Sequence, residues 1–265
     1  MRVDLVERAK WLRRQVFEMS VRAKQGHLAS VLSEIEIIIA LFYGGILRYT
    51  VGQPDAERDL VIISKGHATM GLYPILADIG YFLQSELGRY GTFDGRLRIF
   101  GNTDIPGIDA TTGSLSHGIG IACGYCMAAK HDNKDSRTFV ILSEGEMYEG
   151  STWESALFAS HNNLDNLIVV IDRNRKIILG DTEDILRLEP VLDKWESFGW
   201  DVSVVDGHSF DELLSAFSQI KPGKPSVIIA NTIKGKGLSF MEGRPEWHYT
   251  NLTEKLVEQG RSELA

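Results

Sequence analysis

The sequence predicts an α/β fold: a doubly wound parallel sheet with helices on both faces, built by residues 1–265 as a single domain. Two observations carry this. Thr138–Leu142 and Asn166–Ile171 are short β-branched apolar runs separated by a helix-length segment, Ser151–His161, the pattern of a βαβ unit with parallel strands. Three further apolar runs, Asp59–Ser64, Asp201–Val205 and Lys224–Ala230, alternate with helical stretches around it, and no linker or repeat interrupts the chain.

Taken in order, residues 4–24 place Leu5, Ala9, Leu12, Val16 and Met19 at helical spacing. Gly26 stops this helix and leaves His27 on a turn. Ser33 with Glu36 reads as an S-x-x-E capping box opening an apolar helix through Leu41. Gly52–Asp55 predicts a loop. The strand Asp59–Ser64 leads into Lys65-Gly66-His67 and a helix over Ala68–Ile79. Residues 88–113 are rich in glycine and turn residues, and a small-residue helix follows over Ile119–Lys130. The loop Thr112-Gly113-Ser114-Leu115 before that helix can present backbone N–H groups to a ligand. Helices over Leu188–Phe198 and Phe210–Ile220 separate the last strands. Lys234-Gly235-Lys236-Gly237 follows the final strand, and a polar, tryptophan-containing tail with His248 closes the chain.

Composition narrows the function. The chain is 43% hydrophobic and 24% charged, long enough for a sizeable core. A net charge of −8 argues against a nucleic-acid or anionic-membrane partner. No apolar run approaches membrane-spanning length, and the N-terminus reads as an amphipathic helix rather than a signal peptide, so a cytoplasmic location is expected. Cys123 and Cys126 form a C-x-x-C, but zinc needs about four ligands and no second pair stands nearby; two reduced, packed helix cysteines are expected. Gly118-x-Gly120 lacks the third glycine and preceding strand of a dinucleotide fingerprint.

In parallel α/β sheets ligands sit outside the carboxyl ends of the strands. Glu144-Gly145 and Asp172-Arg173-Asn174 both fall there. A carboxylate, an amide oxygen and a glycine at one crevice suit a hard divalent cation and a diphosphate, which require oxygen ligands and close backbone approach.

These pieces, with Gln25-Gly26-His27, Ser64–His67, Thr111–Leu115, Gly145–Gly150, Lys234–Gly237 and His248 in that order, resemble the N-terminal, diphosphate-binding half of transketolase, as found in split transketolases made of two chains. The resemblance implies the PP-type thiamine diphosphate-binding fold and thiamine diphosphate held with Mg²⁺ or Ca²⁺. Glu144 stands at the family's metal-binding aspartate, Asn174 matches the metal-binding asparagine, and Lys176 offers its backbone carbonyl. Gly145 and Glu146 lie along the diphosphate. His67 and His248 resemble histidines beside the diphosphate and the reacting carbon, and His27 resembles one that contacts substrate. Gly113, Ser114 and Leu115 resemble the loop against the aminopyrimidine. Glu149 matches a glutamate of the subunit interface linked to cofactor activation.

Three departures accompany the match. The family's Gly-Asp-Gly is here Ser143-Glu144-Gly145. Its glycine-histidine pair before the Pro-Gly turn is here Gly101-Asn102, at the place of a donor-sugar contact. The chain also ends before the domain that carries the activating glutamate, so half a site is expected. The implied activity is a two-carbon ketol transfer between sugar or sugar-phosphate substrates, and the departures point to a specialised sugar or natural-product pathway. It would be performed with a C-terminal, pyrimidine-binding partner subunit in an α2β2 assembly. Acyl transfer or 2-oxoacid decarboxylation with the same cofactor is one alternative; a non-catalytic subunit with a drifted site is another.

Overall fold

A computed structural model describes residues 3–52 and 58–265. The loop expected over Gly52–Asp55 lies, beyond Gly52, outside the described residues. Helix α1 (Leu5–Ala23) starts at Asp4, whose carboxylate accepts from the Val6 and Glu7 amides, and stops at Lys24 in the left-handed region. Next come α2 (Leu28–Ser33) and α3 (Ile35–Tyr43), then β1 (Leu60–Ile63), a 3-10 turn over Gly66–Gly71, and α4 (Leu72–Asp78). After the glycine-rich loop, α5 (His117–His131), β2 (Thr138–Ser143), α6 (Gly150–His161) and β3 (Leu167–Arg173) form the expected βαβ unit. A short hairpin of β4 (Lys176–Ile177) and β5 (Gly180–Asp181) follows, then α7 (Thr182–Ile185) and α8 (Val191–Ser197). The chain closes with β6 (Asp201–Asp206), α9 (Phe210–Ser218), β7 (Ser226–Asn231) and α10 (Glu254–Glu263).

The main sheet has the order β1-β2-β3-β7-β6, and every neighbouring pair is parallel. β3 lies at its centre, and Leu167–Ile171 are all 0% exposed. Side chains alternate across a strand. Ile168 and Val170 therefore enter the core shared with α1–α4 and α9, while Leu167, Val169 and Ile171 enter the core under α5, α6 and α8. Each such burial stabilises the fold by about 1.5–3 kcal/mol. Register aligns Ser143 with Asp172 and Arg173 with Asn231, so the polar ends of β2, β3 and β7 finish on one edge.

The structure differs from expectation in four places. Ser33 and Glu36 form no capping box: α3 starts at Ile35 without a side-chain cap. Tertiary partners claim both groups instead, since the Ser33 hydroxyl is 2.5 Å from Asp172 and Glu36 binds Arg13 and His208. The helix expected from Ala68 begins as a 3-10 turn in which the Thr69 hydroxyl donates to the Gly66 carbonyl at 2.7 Å. The helix expected from Leu188 begins only after Pro190, because proline keeps the preceding residue extended. The polar tail holds α10, capped by Thr253 and packed where Gly260 lets Phe17 approach.

Cys123 and Cys126 are free and buried, facing backbone carbonyls of Ser155 and Asn166. Burial pushes their thiols up to about 12 and about 11, away from the thiolate that metal or redox chemistry needs. No helix among the described residues is long and apolar enough to cross a membrane.

Candidate active site

Two clusters meet at the carboxyl edge of the sheet. The first is a triad of imidazoles. His27 sits on the turn into α2, His67 in the 3-10 turn after β1, and His248 in a 3-10 turn (Pro245–His248) of the closing segment. Their ring centroids are 4.7 Å (His27–His67), 5.2 Å (His27–His248) and 5.4 Å (His67–His248) apart. Burial, reinforced by Lys234, holds His27 below the usual imidazole range. Burial likewise lowers His67 to about 2 and His248 to about 3, with neighbouring cations adding to the effect. All three rings are therefore neutral near pH 7, each with one nitrogen that accepts and one that donates a hydrogen bond.

Lys234, buried just past β7, places Nζ 3.1 Å from His248 Nδ1. Burial lowers its ammonium to about 8, and Asp172 and Glu144 pull the other way. An ammonium has only donors, so His248 Nδ1 accepts and its proton rests on Nε2. Beneath the imidazoles, the fully buried Lys65 binds Glu34 at 2.9 Å, the Ser30 carbonyl at 3.1 Å, and Asp172. Asp172 also accepts from the Ser33 and Thr232 hydroxyls. Burial raises Asp172, but Lys65 and these donors more than offset it, holding its carboxyl below the usual range.

The second cluster contains the proposed metal ligands. Glu144, 1% exposed, directs Oε2 at the Arg173 guanidinium, 2.9 Å away, while its buried Oε1 has no hydrogen-bond partner among the described residues. Burial pushes this carboxyl up, with Arg173 pulling against it. Asn174 Oδ1 accepts from the Lys176 amide at 3.1 Å, tying the asparagine to the start of β4. Gly145 lies under β4: a Cβ there would be 3.3 Å from the Ile177 methyl. A free carboxylate oxygen, an amide oxygen with a spare lone pair and a bare glycine backbone fit a hard cation carrying a diphosphate. Ser143 contributes differently: its amide and hydroxyl both bind Glu146, at 2.7 and 2.9 Å.

Glu146 therefore has a different place from the one its sequence position suggests. Its carboxylate also accepts from Ser64 Oγ at 2.5 Å and from the Ser116 amide at 2.7 Å. With four donors it is a strut joining β1, β2 and the loop before α5, and only its backbone remains for a ligand. Its signal was a capping box, Ser143-x-x-Glu146, which the structure forms in full. Gly113, Ser114 and Leu115 are solvent-exposed on that loop. The loop is seated by backbone contact, since a Cβ on Gly66 would stand 2.7 Å from Thr112. Glu149 stands apart from both clusters, exposed at the N-terminus of α6 without a side-chain cap. Asn102 turns its Oδ1 onto the Asp104 amide at 3.0 Å. Arg173, Lys65, Asp172 and Lys234 were not given roles from sequence. Lys65 and Lys234 carried a signal, each being a lysine two or three residues past a mainly apolar strand and followed by glycine.

Residues 6–265 match the family described as transketolase, thiamine diphosphate binding domain. The 6-deoxy-6-sulfo-D-fructose transketolase subunit SqwG of a Clostridium species is 40% identical over 273 residues, covering 99% of this chain and 96% of that one. An apulose-4-phosphate transketolase subunit of Phocaeicola vulgatus is 36% identical over 256 residues, covering 96% and 91%. Transketolase from Campylobacter jejuni superposes with a TM-score of 0.93 at 28% identity, covering all of this chain and 43% of that one. The chain thus spans less than half the length of the solved transketolase it matches, but nearly all of the two separate subunits. The chain belongs to the transketolase family, as the N-terminal, thiamine diphosphate-binding subunit of a split transketolase.

Proposed function

We propose that this subunit holds the diphosphate of thiamine diphosphate with Mg²⁺ or Ca²⁺ and, joined to a pyrimidine-binding partner subunit in an α2β2 assembly in the cytoplasm, transfers a two-carbon ketol unit between sugar-type substrates. The observation that carries this reading is the neutral imidazole triad backed by Lys234, beside a free Glu144 oxygen and the Asn174 amide at the strand ends. Glu144, Asn174 and the Lys176 carbonyl would hold the metal, and the Gly145 backbone would face the diphosphate. The bound cofactor supplies an electron sink for breaking a carbon–carbon bond next to a carbonyl. His67 and His27 stay uncharged and accept hydrogen bonds from substrate hydroxyls. His248, fixed by Lys234, presents Nε2–H as a donor. Gly113, Ser114 and Leu115 form the exposed rim that a second subunit covers, and Glu149 faces that same contact.

Relatives named for apulose 4-phosphate and for 6-deoxy-6-sulfo-D-fructose support a donor other than ordinary ketose phosphates. Asn102 supports the same view, because an amide cannot exchange a proton near neutral pH as imidazole does. The retained histidines and the Thr-Thr-Gly-Ser-Leu loop favour ketol transfer over acyl transfer or decarboxylation. The unpartnered Glu144 oxygen speaks against a drifted, non-catalytic site. The test assays this chain alone and mixed with a pyrimidine-domain subunit, against ketose phosphates, sulfonated ketoses and 2-oxoacids. Activity is expected only in the mixture and only with ketoses. Robust two-carbon transfer by this chain alone, or a preference for 2-oxoacids, overturns the proposal.

A further inference from the structure

The imidazole triad is closed on one side and open on the other. On the inner side lie Lys65 and Lys234, 1% and 2% exposed, the first tied to buried carboxylates and the second to His248. On the outer side stands Tyr249, 52% exposed, the residue that follows His248. Its ring centroid is 4.9 Å from that of His27, at an interplanar angle of 53°. His27 thus meets three rings: two half-buried imidazoles and a phenol that reaches solvent.

The chain holds Tyr249 in this place from both directions. Before it, Lys234 fixes His248, and the Trp247 ring rests on Phe240 with centroids 5.4 Å apart. After it, the Thr250 hydroxyl donates to the Glu246 carbonyl at 2.6 Å, tying the chain back to the turn that carries His248. The phenol therefore keeps one side against His27 and offers the other to solvent. A surface tyrosine elsewhere on the fold would need no explanation. This one borders the nitrogen atoms proposed to bind substrate hydroxyls. An aromatic wall beside a few fixed donors and acceptors is the usual make-up of a small-molecule site. Tyrosine supplies such a wall at little entropic cost, having only two side-chain torsions.

We infer that Tyr249 is a specificity-determining residue: the open side of its ring packs against the carbon chain of a sugar whose reacting end lies at the imidazole triad. The inference rests on the proposed ketol transfer. The imidazoles address the reacting end, so the ring meets the carbons beyond it. Its contribution is therefore absent for a two-carbon aldehyde and grows with chain length, because apolar contact scales with the carbon surface covered. The contact belongs to the ring and not to the hydroxyl, so phenylalanine serves equally well.

The test compares the reconstituted two-chain enzyme carrying wild type, Tyr249→Ala or Tyr249→Phe. One ketose donor is held constant, and the acceptors are glycolaldehyde, D-glyceraldehyde, D-erythrose and D-ribose, all without phosphate. Tyr249→Ala is expected to raise KM for D-ribose about tenfold with kcat little changed. Glycolaldehyde should show a change within about twofold, with the longer aldoses in between, and Tyr249→Phe should follow wild type throughout. Affinity for thiamine diphosphate and for the partner subunit should hold in both variants. An unchanged KM for D-ribose overturns the inference. An equal loss with glycolaldehyde and D-ribose also overturns it, since the ring would then only position His27. So does a loss in Tyr249→Phe as large as in Tyr249→Ala, or weaker subunit association that accounts for the effect. If wild type transfers no two-carbon unit from any ketose, the functional reading fails. Calorimetric titration of the cofactor-loaded pair with D-ribitol then decides the inference. Weaker binding by Tyr249→Ala but not by Tyr249→Phe sustains it, and equal or absent binding in all three proteins overturns it.

Discussion

Replacing Arg173 with alanine isolates the most unusual element beside the proposed metal site. The guanidinium and the Glu144 carboxylate are 2% and 1% exposed and 2.9 Å apart. Arg173 also binds Glu189 at 2.6 Å, but that side chain is 41% exposed and regains water when released. Removing one partner of a buried ion pair costs about 3–5 kcal/mol, whereas the Glu189 contact contributes at most about 1 kcal/mol. The expected loss is therefore about 3–5 kcal/mol, carried by Glu144, with both of its oxygens then unpaired. In a domain of this size that is a fall of roughly 6–20 °C in Tm. Proton uptake by Glu144 limits the loss. Wild-type Glu144 is itself raised to about 8, and removing Arg173 raises it further, so the two proteins change in parallel below that pH and the extra loss should grow as pH rises past about 8. Urea unfolding of Arg173→Ala, Glu144→Gln and the double variant measures the coupling. Glu144→Gln should cost less, since Arg173 keeps Glu189. The double variant should be more stable than the sum of the single effects predicts, by about 1–3 kcal/mol. A loss below about 1 kcal/mol for Arg173→Ala, or strict additivity, refutes the reasoning.

Two other outcomes follow from the same geometry. Asn174→Ala removes an amide oxygen proposed as a metal ligand, and calorimetry should show Mg²⁺-dependent thiamine diphosphate affinity falling at least about tenfold. Cys123→Ser should leave it within a few fold, and comparable losses in both would show the C-x-x-C to be more than packing. His67, held far below the free imidazole value by burial, makes the fold acid-sensitive. Below about pH 6.5 the unfolded chain binds a proton that the folded one refuses. Stability should therefore fall by up to about 1.4 kcal/mol per pH unit, and His67→Gln should remove that part of the slope. Parallel stability–pH curves for wild type and variant between pH 6.5 and 4.5 would exclude the assignment.

Much of the fold was legible because its signals are local. All five strands of the main sheet announce themselves as apolar runs, and α1, α5, α6 and α9 through small stretches of periodic sequence. What escaped was either short or polar. The β4–β5 hairpin has two residues per strand, with Ile178 and Leu179 exposed at its tip. α10 buries only Gly260 of its ten residues, so it carries no apolar stripe to read. The imidazole triad was legible only by resemblance. His27 and His248 are 221 positions apart in the sequence, and no periodicity links them. The charges beneath are equally nonlocal: Lys65 meets Asp172 across 107 positions, and Ser33 meets it across 139.

The segment Asp172-Arg173-Asn174 shows what a fuller use of strand geometry recovers. Reading β3 as ending at Ile171 made these three residues one polar strand end, without assigning Asp172 and Arg173 to opposite faces. The strand in fact runs through Arg173, so the alternation that sorts the core continues into the site. Asp172 follows Ile168 and Val170 to the face of α2 and α3, where it meets Lys65 and Ser33. Arg173 follows Val169 and Ile171 to the opposite face, where it meets Glu144 and Glu189. Asn174, the first residue beyond the sheet, is left free to turn onto Lys176. One strand end thus supplies an anion to the network under the imidazoles, a cation to Glu144 and an amide to the metal site. A one-residue change in register would exchange the first two, placing Arg173 against the buried Lys65 and Asp172 beside Glu144, which would lose its guanidinium partner. Like charges in contact on both faces would oppose that slip, so the same pairs that shape the site also fix the register of the central strand.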